Sequence, residues 1–164
     1  MKAIVAADKF WGIGKNNDLL FKLPLDMKHF RNQTLGKVIV MGKNTYDSFP
    51  SGALPRRVNV VLDSGDMQYI DAKKVSSIEE MMQFVSQFPT EDVFVVGGAS
   101  VYRQLIDRCD KAIVTKVDCD GGAEVFFPNL DEMPDWKVES IDGPYVDNGM
   151  TISFYTYCKT QAND

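Results

Sequence analysis

The chain has 164 residues, 45% apolar and 25% charged, with a formal net charge of −5. That is one domain's length at ordinary globular composition, which excludes disordered, collagen-like and coiled-coil classes. Cys109, Cys119 and Cys158 are odd in number and form no C-x-x-C pair, so neither a disulfide framework nor a metal site is expected, and a reducing, cytoplasmic setting is. The first residues hold only a short apolar run before Asp8 and Lys9, too short for a signal peptide, and no stretch approaches the roughly 20 apolar residues of a membrane span. The acidic total argues against a nucleic-acid partner. It conceals a split: residues 1–60 carry ten Lys or Arg against four Asp or Glu, leaving eight against nineteen for the remainder. The basic part reads either as solvated surface or as a lip around a small anion.

Lys2 to Ala7 is a nearly continuous apolar run, the pattern of a strand buried on both faces. Gly12, Gly14, Asn16 and Asn17 lack periodicity and read as a loop before the run Leu19 to Phe21. Pro24 suits the first turn of a helix reaching about Thr34 and ended by Gly36. Lys37 to Met41 predicts a second buried strand, followed by a short helix around Asn44 to Phe49 that Pro50, Gly52 and Pro55 break. Val58 to Leu62 is a third strand, and another short one is expected near Val75. Ser77 with Glu80 forms a capping box for a helix to about Phe88, with Ile78, Met81, Met82 and Val85 as its apolar stripe.

Asp92 to Val96 then predicts a strand ending at Gly97-Gly98, and Ser100 to Arg108 a helix. Ala112 to Val117, Lys137 to Ile141 and Thr151 to Tyr157 are strands without intervening helices, the last two joined through Gly143-Pro144 and Asn148-Gly149. The expected fold is α/β: a single domain over 1–164 with a mostly parallel central sheet, helices on both faces and an antiparallel C-terminal hairpin.

Open α/β sheets bind ligands beyond the carboxyl ends of their strands. Gly42 and Gly97-Gly98 stand at two such junctions, where bare backbone can approach a phosphate or can simply make a packing turn. Neither sequence is G-x-G-x-x-G or a P-loop. Asp26 shares a helix face with Met27 and Phe30. It reads either as a first-turn acid favoured by the helix dipole or as a carboxylate interrupting an apolar wall, which would suit a ligand presenting donors or positive charge. His29, the one histidine, lies among Lys28 and Arg31 and reads as a rim residue; no nucleophile and base pair emerges. Arg56 and Arg57 open a buried strand, where an arginine fork either binds a carboxylate or makes a surface ion pair. Thr115, mid-strand, has a hydroxyl that needs a partner such as an inward carboxylate.

The segments AIVAAD, GIGKNNDLL, FKLPLDMKHFRNQT, VIVMGKNTYDSF, LPRRVNVVL, VFVVGGASVY and IVTKVD, in this order from Ala3 to about Pro128, resemble the dihydrofolate reductase family. The resemblance implies reduction of 7,8-dihydrofolate with NADPH: hydride passes from nicotinamide C4 to pterin C6, and N5 is protonated through water. It also implies a monomer that binds diaminopyrimidine and pteridine antifolates. Asp26 resembles the pterin-pocket carboxylate that pairs with the 2-amino and N3 edge, and Thr115 its hydrogen-bond partner. Val5, Ala6, Met27 and Phe30 resemble walls for the pterin and aminobenzoyl groups, as do Phe49, Leu54 and Val96. Arg57 matches the arginine that binds the glutamate α-carboxylate.

On the cofactor side, Tyr102 resembles the residue beside the nicotinamide, and Gly97-Gly98 a cis bond touching the cofactor. Ala7, Ile13, Gly14 and Leu19 resemble a lid bordering the nicotinamide. Gly42, Lys43, Asn44 and Thr45, with Leu62, Asp63 and Ser64, match the dinucleotide-binding segments, as do Ala99, Ser100 and Val101. Three departures stand out. Phe21 replaces the usual Trp and removes an indole donor at an expected catalytic position. Lys43-Asn44 stands where basic residues are common and Asp63 would repel a 2′-phosphate, yet Lys43, Asn44, Thr45 and Ser64 can still bind it, so NADPH is expected with NADH tolerance as the alternative. Ala123-Glu124-Val125 replaces Gly-Asp-Thr beside the lid. Two other functions are compatible with parts of the pattern: a riboflavin-biosynthesis type reductase, against which LPLDMKHF argues, and a noncatalytic nucleotide- or pterin-binding module.

Overall fold

The computed structural model describes residues 1–16 and 18–160; Asn17, expected in the loop, lies outside them. In chain order the elements are β1 (Lys2–Ala7), β2 (Gly12–Lys15), β3 (Asp18–Leu19), α1 (Pro24–Thr34), β4 (Val38–Gly42), α2 (Lys43–Asp47), β5 (Val58–Leu62) and β6 (Lys73–Val75). There follow α3 (Ile78–Val85), β7 (Val93–Gly97), α4 (Ala99–Leu105), β8 (Lys111–Val117), β9 (Val125–Phe126), β10 (Trp136–Asp147) and β11 (Met150–Lys159). One sheet runs in the order β10-β11-β8-β1-β7-β4-β5-β6. Strands β8 through β6 of that order are parallel, and β11 is antiparallel to both β8 and β10. This is the expected α/β architecture.

Alternation along each strand divides the interior into two cores. Val38, Val40, Val60 and Val95 face one, with Met81 and Val85 of α3 and Val101 and Leu105 of α4. Ile39, Met41, Val61 and Phe94 face the other, with Phe30 of α1 and Tyr46 of α2 packed on it. Strands apolar at every position are therefore buried on both faces, and helices cover both.

Local chemistry moves several boundaries. The Ser77 hydroxyl accepts from the Glu80 N–H at 3.1 Å, as the capping box predicts, but α3 stops at Val85 rather than Phe88. Pro89 disfavours a helical conformation at Phe88, and the chain closes a turn from Phe88 N–H to the Val85 carbonyl. The helix expected over 100–108 becomes α4 plus a 3-10 turn, Ile106–Arg108, and α2 ends at Asp47. β10 runs to Asp147, so Gly143-Pro144 lies inside the strand at a register shift instead of in the connection. Asn148 and Gly149, with φ of 51° and 80°, make the hairpin turn by themselves.

The larger difference is at Gly12–Lys15, expected as a loop. It is β2, the centre of a second sheet of order β3-β2-β9. Pairing across the chain overrides the missing periodicity. The buried Asp8 carboxylate accepts N–H groups from Phe10, Gly12 and Gly121 at 2.8, 2.8 and 2.9 Å, clamping both sides of this sheet. A Cβ at Gly12 would collide with the Ala123 Cβ at 2.4 Å and the Asp8 carboxylate at 2.9 Å, so only glycine lets these groups sit this close. Among the described residues no helix is long and apolar enough to cross a membrane.

Candidate active site

Two carboxyl-edge elements converge on Asp26. Pro24 opens α1, and the Leu25 N–H, left over at the helix start, donates to the buried Asp147 carboxylate at 2.8 Å. This fixes the first turn, from which Asp26 reaches Thr115 on β8; the threonine hydroxyl donates to Asp26 Oδ1 at 2.6 Å. Thr115 is 2% exposed and lies in register with Ala6 of β1. Burial holds the Asp26 carboxyl above the ordinary aspartate range; the Thr115 hydrogen bond opposes this, and the Asp147 charge adds to it. Asp26 is thus a half-buried acid with one fixed donor, and its remaining oxygen positions are available to a ligand.

The predicted apolar wall assembles in part. Phe30, Phe49, Leu54 and Val96 all pack on the smaller core around Ile4 and Ile113. Val5 packs against the larger core, Ala6 is half-buried, and Met27 is 59% exposed outside both clusters. Phe21 packs with Leu23, Val117 and Ile152. His29 is a correction: it is not solvated but half-buried against Phe154 at 4.1 Å between ring centroids, its enclosed Nε2 without a partner among the described residues, and burial lowers its pKa.

Arg57 is half-buried with its Nε enclosed and without a partner among the described residues. Burial and then Arg31 and Arg56 lower its pKa, so three guanidinium groups share one neighbourhood. No ion pair involves any of the three among the described residues. Asn59, buried in β5, holds the turn before Arg57: it accepts from Leu54 N–H and donates to the Leu54 and Arg57 carbonyls at 3.0, 2.9 and 3.1 Å.

On the adjoining edge, the Gly97-Gly98 bond is cis, as expected. Gly97 has φ of 128°, and a Cβ there would meet Thr45 Oγ1 at 3.3 Å and the Tyr102 ring at 3.5 Å. Tyr102 is buried with its hydroxyl donating to the Ile4 carbonyl at 2.6 Å. A Cβ at Gly42 would meet Val101 at 3.1 Å. Bare backbone at two neighbouring strand ends therefore leaves room for a closely approaching group. Ala99 is half-buried at the start of α4, and the exposed Ser100 accepts from Gln104 Nε2 at 3.1 Å. Leu62 is half-buried at the end of β5, with exposed Ser64 two residues on. Ala7 and Ile13 are buried in the larger core, whereas Leu19 is 63% exposed on β3. A Cβ at Gly14 would meet Val125 at 2.9 Å. Two surface hollows, one along Arg103 and Glu124 to Pro128 and one along Lys9, Lys116 and Thr151, contain none of the predicted site residues.

A dihydrofolate reductase family model matches residues 1–159. The chain belongs to the dihydrofolate reductase family. Within it, the chain is 36% identical to the Bacillus subtilis dihydrofolate reductase over 138 residues, 84% of this chain and 80% of that protein. It is 33% identical to the Mycobacterium tuberculosis enzyme over 151 residues, 88% of this chain and 89% of that one. The dihydrofolate reductase of Enterococcus faecalis, solved with NADP(H) and the compound RAB-propyl, superposes with a TM-score of 0.87 at 29% identity, covering 98% and 96% of the two chains. Membership in this family makes the chain an oxidoreductase whose reaction is the reduction of dihydrofolate, and nothing in the comparisons favours the riboflavin-type or noncatalytic readings.

Sequence reasoning missed Asp8, Asn59 and Asp147. Asp8 and Asn59 had a signal, an aspartate four residues before a glycine, as in side-chain-capped turns, and a lone asparagine within an apolar strand; Asp147 had none. Glu124 was noted only as a departure; its carboxylate accepts the Asn16 N–H at 2.7 Å, tying β9's approach to the tip of β2.

Proposed function

We propose that Asp26 is the residue on which dihydrofolate reduction turns here, binding and polarising the pterin while the surrounding residues orient it and exclude water. The observation that carries this is the 2.6 Å Thr115–Asp26 hydrogen bond on a half-buried carboxylate. A desolvated carboxylate with open acceptor positions is complementary to the paired donors of a 2-amino-pyrimidinone ring. Its charge stabilises the positive charge that accumulates on the ring as N5 gains a proton from water. Phe30, Phe49, Leu54 and Val96 support the reading as an apolar wall for the ring system, and Arg57, without an acid partner among the described residues, as the site of the glutamate carboxylate. The paired donors of diaminopyrimidine and pteridine antifolates suit the same carboxylate. The chain works as a single domain and a monomer.

The second substrate in this reading is a reduced nicotinamide dinucleotide, NADPH by family resemblance, which when bound supplies the hydride. The bare backbone at Gly42 and Gly97-Gly98 fits close approach of such a group, since a Cβ at either Gly42 or Gly97 would crowd its neighbours. Tyr102, anchored to the Ile4 carbonyl, gives a fixed flat wall between β1 and β7. Strand β2, held by Asp8 and Glu124, is by family resemblance the lid that would border the nicotinamide and limit water. The test is absorbance loss of reduced nicotinamide on mixing purified protein, dihydrofolate and NADPH or NADH, together with Asp26→Asn. Turnover that Asp26→Asn abolishes supports the reading; full turnover by the variant refutes the role of Asp26.

A further inference from the structure

We propose that the adenosine end of the cofactor site accepts the free 2′-hydroxyl of NADH, with Asp63 as the residue that sets the choice against a 2′-phosphate. This rests on the nicotinamide dinucleotide reading above. Its first support is strand order. With the nicotinamide beside Tyr102 at β1 and the diphosphate crossing the backbone at the ends of β7 and β4, the next carboxyl end along the sheet is that of β5. Gly42 is in register with Leu62, so Asp63 follows directly beside Lys43.

The second support is the state of Asp63. Its Oδ1 accepts from Gly65 N–H at 2.9 Å and its Oδ2 from the Tyr69 hydroxyl at 2.8 Å, which fix the carboxylate while leaving one acceptor direction on each oxygen. An oriented carboxylate at this point of a dinucleotide-binding sheet suits a ribose hydroxyl, whereas a 2′-phosphate needs cations in its place. The same two donors hold Asp63 below the ordinary aspartate range, so it is ionised at neutral pH.

The third support is that the nearby cations are engaged. Lys43 is paired with Asp47 at 2.6 Å, and Lys74 donates to the Gly65 carbonyl. Lys43 and Lys74 thus already have acceptors, and a phosphate dianion beside Asp63 would have to draw them from those acceptors against the charge of the carboxylate. No arginine relieves it: Arg56 and Arg57 precede β5 and stand at its opposite end, and Arg103 lines the hollow beside Phe126. Asn44, exposed in the first turn of α2, offers an amide where a guanidinium would bind the phosphate bidentately.

The test is equilibrium titration of the purified protein with NADH and with NADPH, read by quenching of intrinsic fluorescence in the absence of dihydrofolate. It is accompanied by competition with AMP and with adenosine 2′,5′-bisphosphate. The expected result is NADH binding at least as tightly as NADPH. Asp63→Asn and Asn44→Arg should each shift the NADH to NADPH preference at least tenfold toward NADPH, with thermal midpoints confirming that both variants fold. Wild-type protein that binds NADPH tenfold or more tightly than NADH overturns the proposal while leaving the dinucleotide reading intact. An equal preference in wild type and in Asp63→Asn removes the role of Asp63. Binding of dihydrofolate but of neither dinucleotide overturns the cofactor reading itself.

Discussion

Replacing Thr115 by Val removes one hydroxyl from a buried site and keeps the side chain's shape, so it isolates the Thr115–Asp26 hydrogen bond. A hydrogen bond to a charged acceptor contributes about 1.5–3 kcal/mol, and the added buried methyl returns about 0.8 kcal/mol. The net loss at pH 7 is therefore about 1–2 kcal/mol. Asp26 has its folded pKa raised above 3.8, so near pH 3 its carboxyl is protonated in the folded protein. There the bond is neutral, worth about 1 kcal/mol, and the methyl offsets nearly all of it. Urea unfolding at both pH values reads the difference: with a slope of about 2 kcal/mol/M the midpoint falls by about 0.5–1 M at pH 7 and hardly moves at pH 3. An equal shift at both pH values, or none at pH 7, would refute the claim that the hydroxyl serves the charged carboxylate.

Asp26→Asn should lower turnover about a hundredfold or more while stabilising the protein at neutral pH. The sign follows from burial: with its folded pKa raised, Asp26 gives its full contribution below pH 3.8 and loses it as pH rises through the folded value, a loss the amide does not suffer. Denaturant midpoints of the two proteins should converge toward pH 3 and separate above it. For Asp8→Ala, three N–H groups lose their acceptor and the expected cost is about 2–4 kcal/mol. Amide exchange should accelerate at Gly12 and Gly121 before it does in β1 or β8, and uniform acceleration would count against a local clamp. Arg57→Leu should raise the KM for dihydrofolate roughly tenfold to hundredfold while sparing a dihydropterin without a glutamate. Equal losses for both would remove Arg57 from the tail site.

Elements whose burial is written in consecutive residues were legible. The runs in β1, β4, β5, β7 and β8 are apolar at odd and even positions alike, which only a sheet covered on both faces requires. Asp26 and Thr115 were legible as a carboxylate and a hydroxyl in need of partners, since each breaks an apolar pattern. What escaped depends on partners far along the chain. Gly12–Lys15 has no strand periodicity of its own and becomes β2 through Val125, Phe126 and the Asp8 clamp. His29 looked solvated among charged neighbours because the ring that covers it, Phe154, lies at the other end of the sequence. Asp147 escaped for the same reason, being tied to Leu25 across 122 positions.

The last strand among the described residues, β11, is not at the edge of the sheet but between β8 and β10. During synthesis, then, the slot beside β8 stays open until residues 150–159 have left the ribosome, and Asp147 has no settled hairpin from which to hold α1. Chains released early would carry Asp26, Thr115 and every candidate cofactor residue yet leave α1 without its Asp147 anchor. The geometry of α1 therefore depends on β10 and β11 being in place. A polypeptide divided before β10 would regain it only when the two pieces meet.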